Sequence, residues 1–424
     1  MKFTLSWLKE HLDTTATLTE ITDKLTAIGL ELEEVNDPAA RLAPFTVCYV
    51  ESAEKHPDAD KLRVCMVNPG DGNLVQVVCG APNAKAGMKG VFAPNGAYIP
   101  GSDMTLKAGV IRGQESNGML CSERELEISD EHDGIIELPE DAPLGMAFAE
   151  YRGLNDQVIE IGLTPNRGDC AGVRGIARDL AAAGIGTLKD NRPKADAGAD
   201  LPTTEVKIAV EEKLNPVFVY RLVKNVKNGP APAWLQQQLN AIGQKPISAL
   251  VDVTNWMTMD QCRPMHVFDA DKLKGNLTVR AATDGETMLA LNGKEYSFDD
   301  QMVVIADDNG PVSLAGITGG ENTGCDENTT NVLVEAALWD ASNVARSGRK
   351  LDLHTDARFR FERGTDTGAV VEGMEIATQY ILDFCGGEAG EIKVSGAVPD
   401  AVQTQSFRPE RIEELAGISV ETPK

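Results

Sequence analysis

Only five histidines occur in this chain: His11, His56, His132, His266 and His354. No Gly-x-Ser-x-Gly elbow, His-Glu-x-x-His helix or phosphate-binding P-loop accompanies them. No side chain therefore stands out as a nucleophile, and no metal site is expected. Glu335 lies in the apolar run VLVEAALW. A carboxylate among Val332, Leu333, Val334, Ala336 and Ala337 is costly to bury, so it either hydrogen-bonds a ligand or pairs with an arginine. Thr254 and Asn255, in DVTNW, offer a hydroxyl and an amide where a strand is expected to end. Local turn bonding is the plainer use of both. Gly319, in LAGITGGEN, either lets backbone N–H groups approach a carbonyl or serves a turn that needs positive φ.

These residues need a scaffold, and the periodicities outline one. Leu5, Leu8 and Leu12 share a helical stripe; Thr17 with Glu20 forms a capping box; Gly29 stops the second helix. Residues 51 to 127 alternate apolar and polar side chains between Gly, Pro and Asn turns: HPDADKLRVCMV, VVCGAPN, GAYIPG and IRGQESNGMLCSERELEI. That pattern predicts short strands closing into a small barrel, and its spacing resembles the OB-type tRNA-binding module. Residues 158 to 183 add a strand, the loop TPNRGDCAGV and a helix with Val173, Ile176, Ala177, Leu180 and Ala181 on one face. The expected architecture is multidomain α+β. A small split α/β module at 1–40 plus 152–190 carries an inserted barrel at 41–151. A Pro/Ala/Asp-rich linker at 191–204 leads to a larger α/β block at 205–395, and 400–424 begins a further helical unit.

Composition limits the partners. With 40 Lys+Arg against 65 Asp+Glu, the net charge of −25 repels polyanions at long range. Even the barrel ends in Glu123, Glu125, Glu127, Asp130, Glu131 and Asp133. Nucleic acid must then be met by shape and by local cations such as Lys61, Arg63, Lys107 and Arg112. The aromatics Phe45, Tyr49, Phe92 and Tyr98 read mostly as core, which gives base stacking little support. Eight cysteines without a Cys-x-x-Cys pair indicate reduced thiols, and neither signal peptide nor membrane span is expected, so a cytoplasmic protein is expected.

Several segments in order resemble the bacterial phenylalanyl-tRNA synthetase β subunit, amino-terminal half: LSWLKEHL, HPDADKL…GMLCSEREL, TPNRGDC…GIARDLAA, ISALVDVTNWM, RPMHVFDADKL, LAGITGG, VLVEAALW and LDLHTDARFRFERGTD. The resemblance implies an α2β2 heterotetramer whose α subunit charges tRNA(Phe) using ATP and Mg²⁺, with no Mg²⁺ ligands identifiable in these residues. It implies that 205–395 is an editing domain that hydrolyses tyrosine mistakenly attached to that tRNA. A pocket shaped for phenylalanine rejects a hydroxylated isostere by only ~10²-fold, so a second site is needed. The implied editing residues are His266 (holding ester or water), Thr254, Asn255, Gly319, Glu335 (accepting from the tyrosine hydroxyl), and Thr355 and Ala357 in HTDARF, the alanine by being small. Thr318, His354 and Arg358 depart from the family pattern. Arg360, Glu362 and Arg363 are expected to form a structural ion network, and Asn166 to Asp169 a fixed loop or subunit contact. The alternative is a tRNA-binding assembly scaffold that no longer edits; a hydrolase of some other ester is more distant.

Overall fold

The computed structural model describes residues 1–129, 131–154, 156–190, 192–195, 198–400 and 404–419. Asp130, parts of the expected linker (191, 196 and 197) and parts of the last segment (401–403 and 420–424) lie outside the described residues. The chain forms two compact units, Met1–Gly162 with Leu180–Lys189 and Gln237–Lys245, and Leu163–Asp179 with Asp190–Gln236 and Pro246–Lys424.

In the first unit, strands Lys2–Thr4 and Glu31–Asn36 flank Val158–Gly162 in an antiparallel sheet. Helix Leu18–Ala27 opens on the expected capping box: Glu20 N–H donates to Thr17 Oγ1 (3.3 Å), and Thr17 N–H donates to Glu20 Oε2 (2.8 Å). It closes at Gly29, whose φ of 84° only glycine adopts cheaply. Between these elements a five-stranded sheet runs in the order Gly118–Leu120, Lys89–Pro94, Thr46–His56, Ala59–Asn68, Val75–Cys79. Its outer strands are stitched rather than laddered: Asn117 N–H donates to Gln76 O (2.9 Å) and Val78 N–H to Ser116 Oγ (3.1 Å). The result is a nearly closed barrel. Phe45 and Phe92 are buried in it, whereas Tyr98, one of the expected core aromatics, is 47% exposed.

The second unit packs two sheets face to face. One runs Val206–Ile208, Leu277–Ala281, Val303–Asp307, Gly310–Leu314, Thr318–Gly319. The other runs His266–Asp269, Asn331–Ala337, Val217–Lys224 and Glu388–Ala389, with Lys393–Gly396 also pairing with Val217–Lys224. Alternate residues Phe218, Tyr220 and Leu222 enter the core shared by the two sheets. Their neighbours Val217, Val219 and Val223 are equally buried on the other face. Burial on both faces explains why VFVYRLV is apolar on both sides, with Arg221 its one charged residue. Helix Val370–Cys385 covers the outer face and meets helix Ala249–Gln261 through Tyr380 and Trp256, ring centroids 4.9 Å apart.

That second helix corrects an expectation. DVTNW does not end a strand; it lies inside Ala249–Gln261. Ten of its thirteen residues are buried, so packing on most sides of the helix outweighs the strand preference of its β-branched residues. Helix Glu410–Ala416 does occur in the last segment, with Leu415 exposed.

Candidate functional site

Three consecutive strands of the second sheet align a polar row across an apolar face. His266 stands opposite Glu335, and Glu335 opposite Tyr220. Direct antiparallel partners project to the same side with Cβ atoms about 5 Å apart. Phe218, Leu222, Phe268 and Leu333 on this face belong to the intersheet core, so the row faces inward.

Glu335 is 6% exposed. Among the described residues no lysine or arginine pairs with it, so the arginine partner weighed from sequence is not found there. Burial alone pushes its carboxyl pKa up to about 8. The His266 ring stands edge-on to Phe268, centroids 4.4 Å apart. Its Nε2 is shielded from solvent and has no hydrogen-bond partner among the described residues. Burial pulls its pKa down to about 4. At neutral pH the acid is therefore mainly protonated and the imidazole neutral. Two titratable groups meet here, and the pair carries almost no charge.

Gly319 presses on that imidazole. A Cβ built at Gly319 would collide with His266 Cε1 and lie 2.7 Å from Nε2. Its φ is not positive, so the turn explanation fails and close approach is the reason for glycine. The segment entering Gly319 is held from the far side: Thr355 Oγ1 donates to Ile317 O at 2.9 Å and accepts from Arg358 N–H at 3.1 Å, capping helix Asp356–Phe361. Ala357, the second residue of that helix, is half-buried against the intersheet core.

The structure thus brings His266, Glu335 and Gly319 together and ties Thr355 to the adjoining segment. Thr254 and Asn255 are on helix Ala249–Gln261. Thr254 Oγ1 donates locally to Val251 O (2.8 Å), and Asn255 is half-buried. Tyr220 was missed by sequence reasoning. Its only signal was a polar-tipped ring inside an apolar run, and pairing register is invisible in one strand.

The ion network expected around RFERG is present. Arg358 and Arg363 both meet Glu362 at 3.0 Å, and the buried Arg360 donates to Ala171 O at 2.9 Å. His354 is exposed beside Asp352. The loop Asn166 to Asp169 is fixed by Arg167, which donates to Asp169 at 3.0 Å and also binds Asp179.

In the first unit, Lys61 is exposed, Arg63 donates to Ala53 O (3.3 Å), and Arg112 donates to Asp58 O (3.2 Å) from the tip of a hairpin at positive φ. Among the described residues, one group of three or more His, Cys, Asp or Glu has metal-ligand spacing, and it does not suit the Mg²⁺ implied by the resemblance. The one cluster with ligand spacing, Asp169, Cys170 and Asp179, contains a thiol foreign to Mg²⁺ and is already neutralised by Arg167 and Arg178. No helix among the described residues is long and apolar enough to cross a membrane.

A profile described as "B3/4 domain" matches residues 214–386, which include every candidate residue of the second unit, and one described as "Putative tRNA binding domain" matches 45–147. The phenylalanine–tRNA ligase beta subunit of Brucella suis is 58% identical over 99% of this chain, and that of Bradyrhizobium diazoefficiens is 57% identical over 100% of this chain. These matches cover 52% and 53% of the two relatives, so the chain spans about half their length. An N-terminal fragment of the phenylalanyl-tRNA synthetase beta subunit from Pyrococcus horikoshii is 15% identical, with TM-score 0.32, over 63% of this chain and 74% of its own.

Proposed function

We infer, from a chain that is kin to the phenylalanine–tRNA ligase beta subunits along its whole length, that the second unit hydrolyses tyrosine wrongly esterified to the phenylalanine tRNA. The barrel, read as an OB-type module, contacts tRNA through Lys61, Arg63 and Arg112. Charging itself, with its ATP and Mg²⁺, belongs to the α subunit of an α2β2 assembly. The observation that carries the reading is Glu335, a buried, uncompensated carboxyl placed directly opposite an imidazole with a free nitrogen.

A protonated carboxyl both donates and accepts, so Glu335 satisfies a phenolic hydroxyl completely without burying a net charge. A phenylalanyl ester leaves it unsatisfied, and that penalty discriminates in the direction editing requires. Neutral His266 presents Nε2 toward Gly319, where it holds a water or the ester carbonyl. With a pKa of about 4 it orients a water better than it deprotonates one. Thr355 and Ala357 fix and leave open the adjoining wall. Thr254 and Asn255 contribute through the helix that leads into the His266 strand.

The deciding assay uses the complete enzyme with its α subunit. Tyrosyl-tRNA(Phe) should be deacylated faster than phenylalanyl-tRNA(Phe), and Ala357→Trp should abolish the difference while sparing aminoacylation. Equal deacylation by wild type and variant leaves a tRNA-binding scaffold as the better description.

A further inference from the structure

The polar row continues past Glu335. Tyr220 lies on its other side, and Lys393, on the outermost strand, is the register partner of Tyr220. Tyr220 and Glu335 are each 6% exposed, whereas Lys393 is half-buried, with Nζ bound to Glu391 at 2.9 Å. Glu335 therefore has an imidazole on one flank and a phenol ring on the other, and the ring separates it from the cation at the sheet edge.

We infer that Tyr220 is a positioning residue for Glu335: its ring walls the carboxyl off from water and from the Lys393 edge, leaving the His266 side as the carboxyl's polar neighbour in the sheet. This deepens the proposed function and rests on it for its biological meaning. The remaining neighbours on this face are apolar: Leu333 and Ala337 on the Glu335 strand, Phe218 and Leu222 beside Tyr220, Phe268 beside His266. Of the other charged groups on these strands, Lys224 shares this face two positions beyond Leu222, paired with Asn331 and Glu388, and Arg221 lies on the outer face, where it is influenced by Glu375 of the covering helix. The segment of the facing sheet that meets His266 is Gly319, which brings no titratable group. With a lysine one residue beyond the ring, removal of that wall admits both solvent and a favourable charge, and both favour the carboxylate. The high carboxyl pKa given by burial agrees with the wall being in place.

The test is a ¹³C carboxyl titration of Glu335 in the 424-residue chain, with Glu335→Gln providing the assignment. Tyr220→Phe should retain the wild-type midpoint. Tyr220→Ala should weaken the proton affinity of Glu335 roughly tenfold or more, because a dry carboxyl becomes a wet one. Tyr220→Val, a shorter wall from a good strand former, should shift it in the same direction and serves if the alanine variant fails to fold. An unmoved midpoint in the alanine or valine variant overturns the inference. A fall in Tyr220→Phe equal to that in Tyr220→Ala overturns it too, since the hydroxyl and not the ring would then be responsible. If the titration behaves as stated while tyrosyl-tRNA(Phe) is not deacylated, the role of Tyr220 stands and the editing proposal alone falls.

Discussion

Glu335 and His266 are displaced from their ordinary pKa values in opposite directions, which gives the candidate site a pH signature in stability as well as in activity. The Glu335 carboxyl rises from 4.5 to about 8, so the folded state holds a proton that the unfolded state has lost. Stability therefore falls as pH rises through that window. His266 drops from 6.5 to about 4, so the unfolded state holds the extra proton, and stability falls as pH decreases through 6.5 toward 4. Above 6.5 the His266 contribution fades, and toward 8 the glutamate contribution is the larger of the two. Glu335→Gln should abolish the part of the stability loss that wild type shows on going from pH 6.5 to pH 8, followed by denaturant unfolding at both values. The same ionisation should make tyrosyl-tRNA(Phe) deacylation decline above about pH 8 in wild type. Gly319→Ala should displace the imidazole, because its Cβ would occupy the space of the ring. A loss of about 1–3 kcal/mol, the usual range for overpacking, together with loss of deacylation, is expected from unfolding curves and assay in parallel.

At the scale of elements, the strand pairing does the assembling and one hydroxyl does the fastening. Thr355 joins the start of helix Asp356–Phe361 to Ile317 in the segment that delivers Gly319. Thr355→Val should cost about 1 kcal/mol for the lost cap and loosen the wall at Gly319, whereas Thr355→Ser should restore most of both. Unfolding free energies and deacylation rates of the two variants check this. The runs VFVYRLV and VLVEAAL were recognisable as strands because each is mostly apolar, with Tyr220 and Arg221 set into the first and Glu335 into the second. The helix at Ala249–Gln261 was masked by its valines and threonines, and by burial of ten of its thirteen residues, which leaves no separate apolar stripe to read. The capping box at Thr17 was legible because its two residues and their spacing are the whole device.

For the whole molecule, a charge of −25 means that any tRNA contact works against the long-range field. Binding through a few local cations should then depend only shallowly on salt. Replacing Lys61, Arg63 and Arg112 together by alanine should weaken tRNA(Phe) binding by the complete enzyme and flatten its salt slope by up to about 3, measured across a salt series. A variant that binds as wild type does at every salt concentration would remove these residues from the tRNA contact.

By itself the amino-acid sequence determined the kinship, the barrel, the apolar strands, the capping box and the identity of the polar residues placed among apolar ones, because these are local properties of type and spacing. Only the tertiary structure decided that His266, Glu335 and Tyr220 form one row, that Gly319 is small to admit an imidazole, and that Thr355 secures a distant carbonyl. Strand register and interstrand contact join residues far apart in the chain, and no periodicity within a segment encodes which neighbour it will meet.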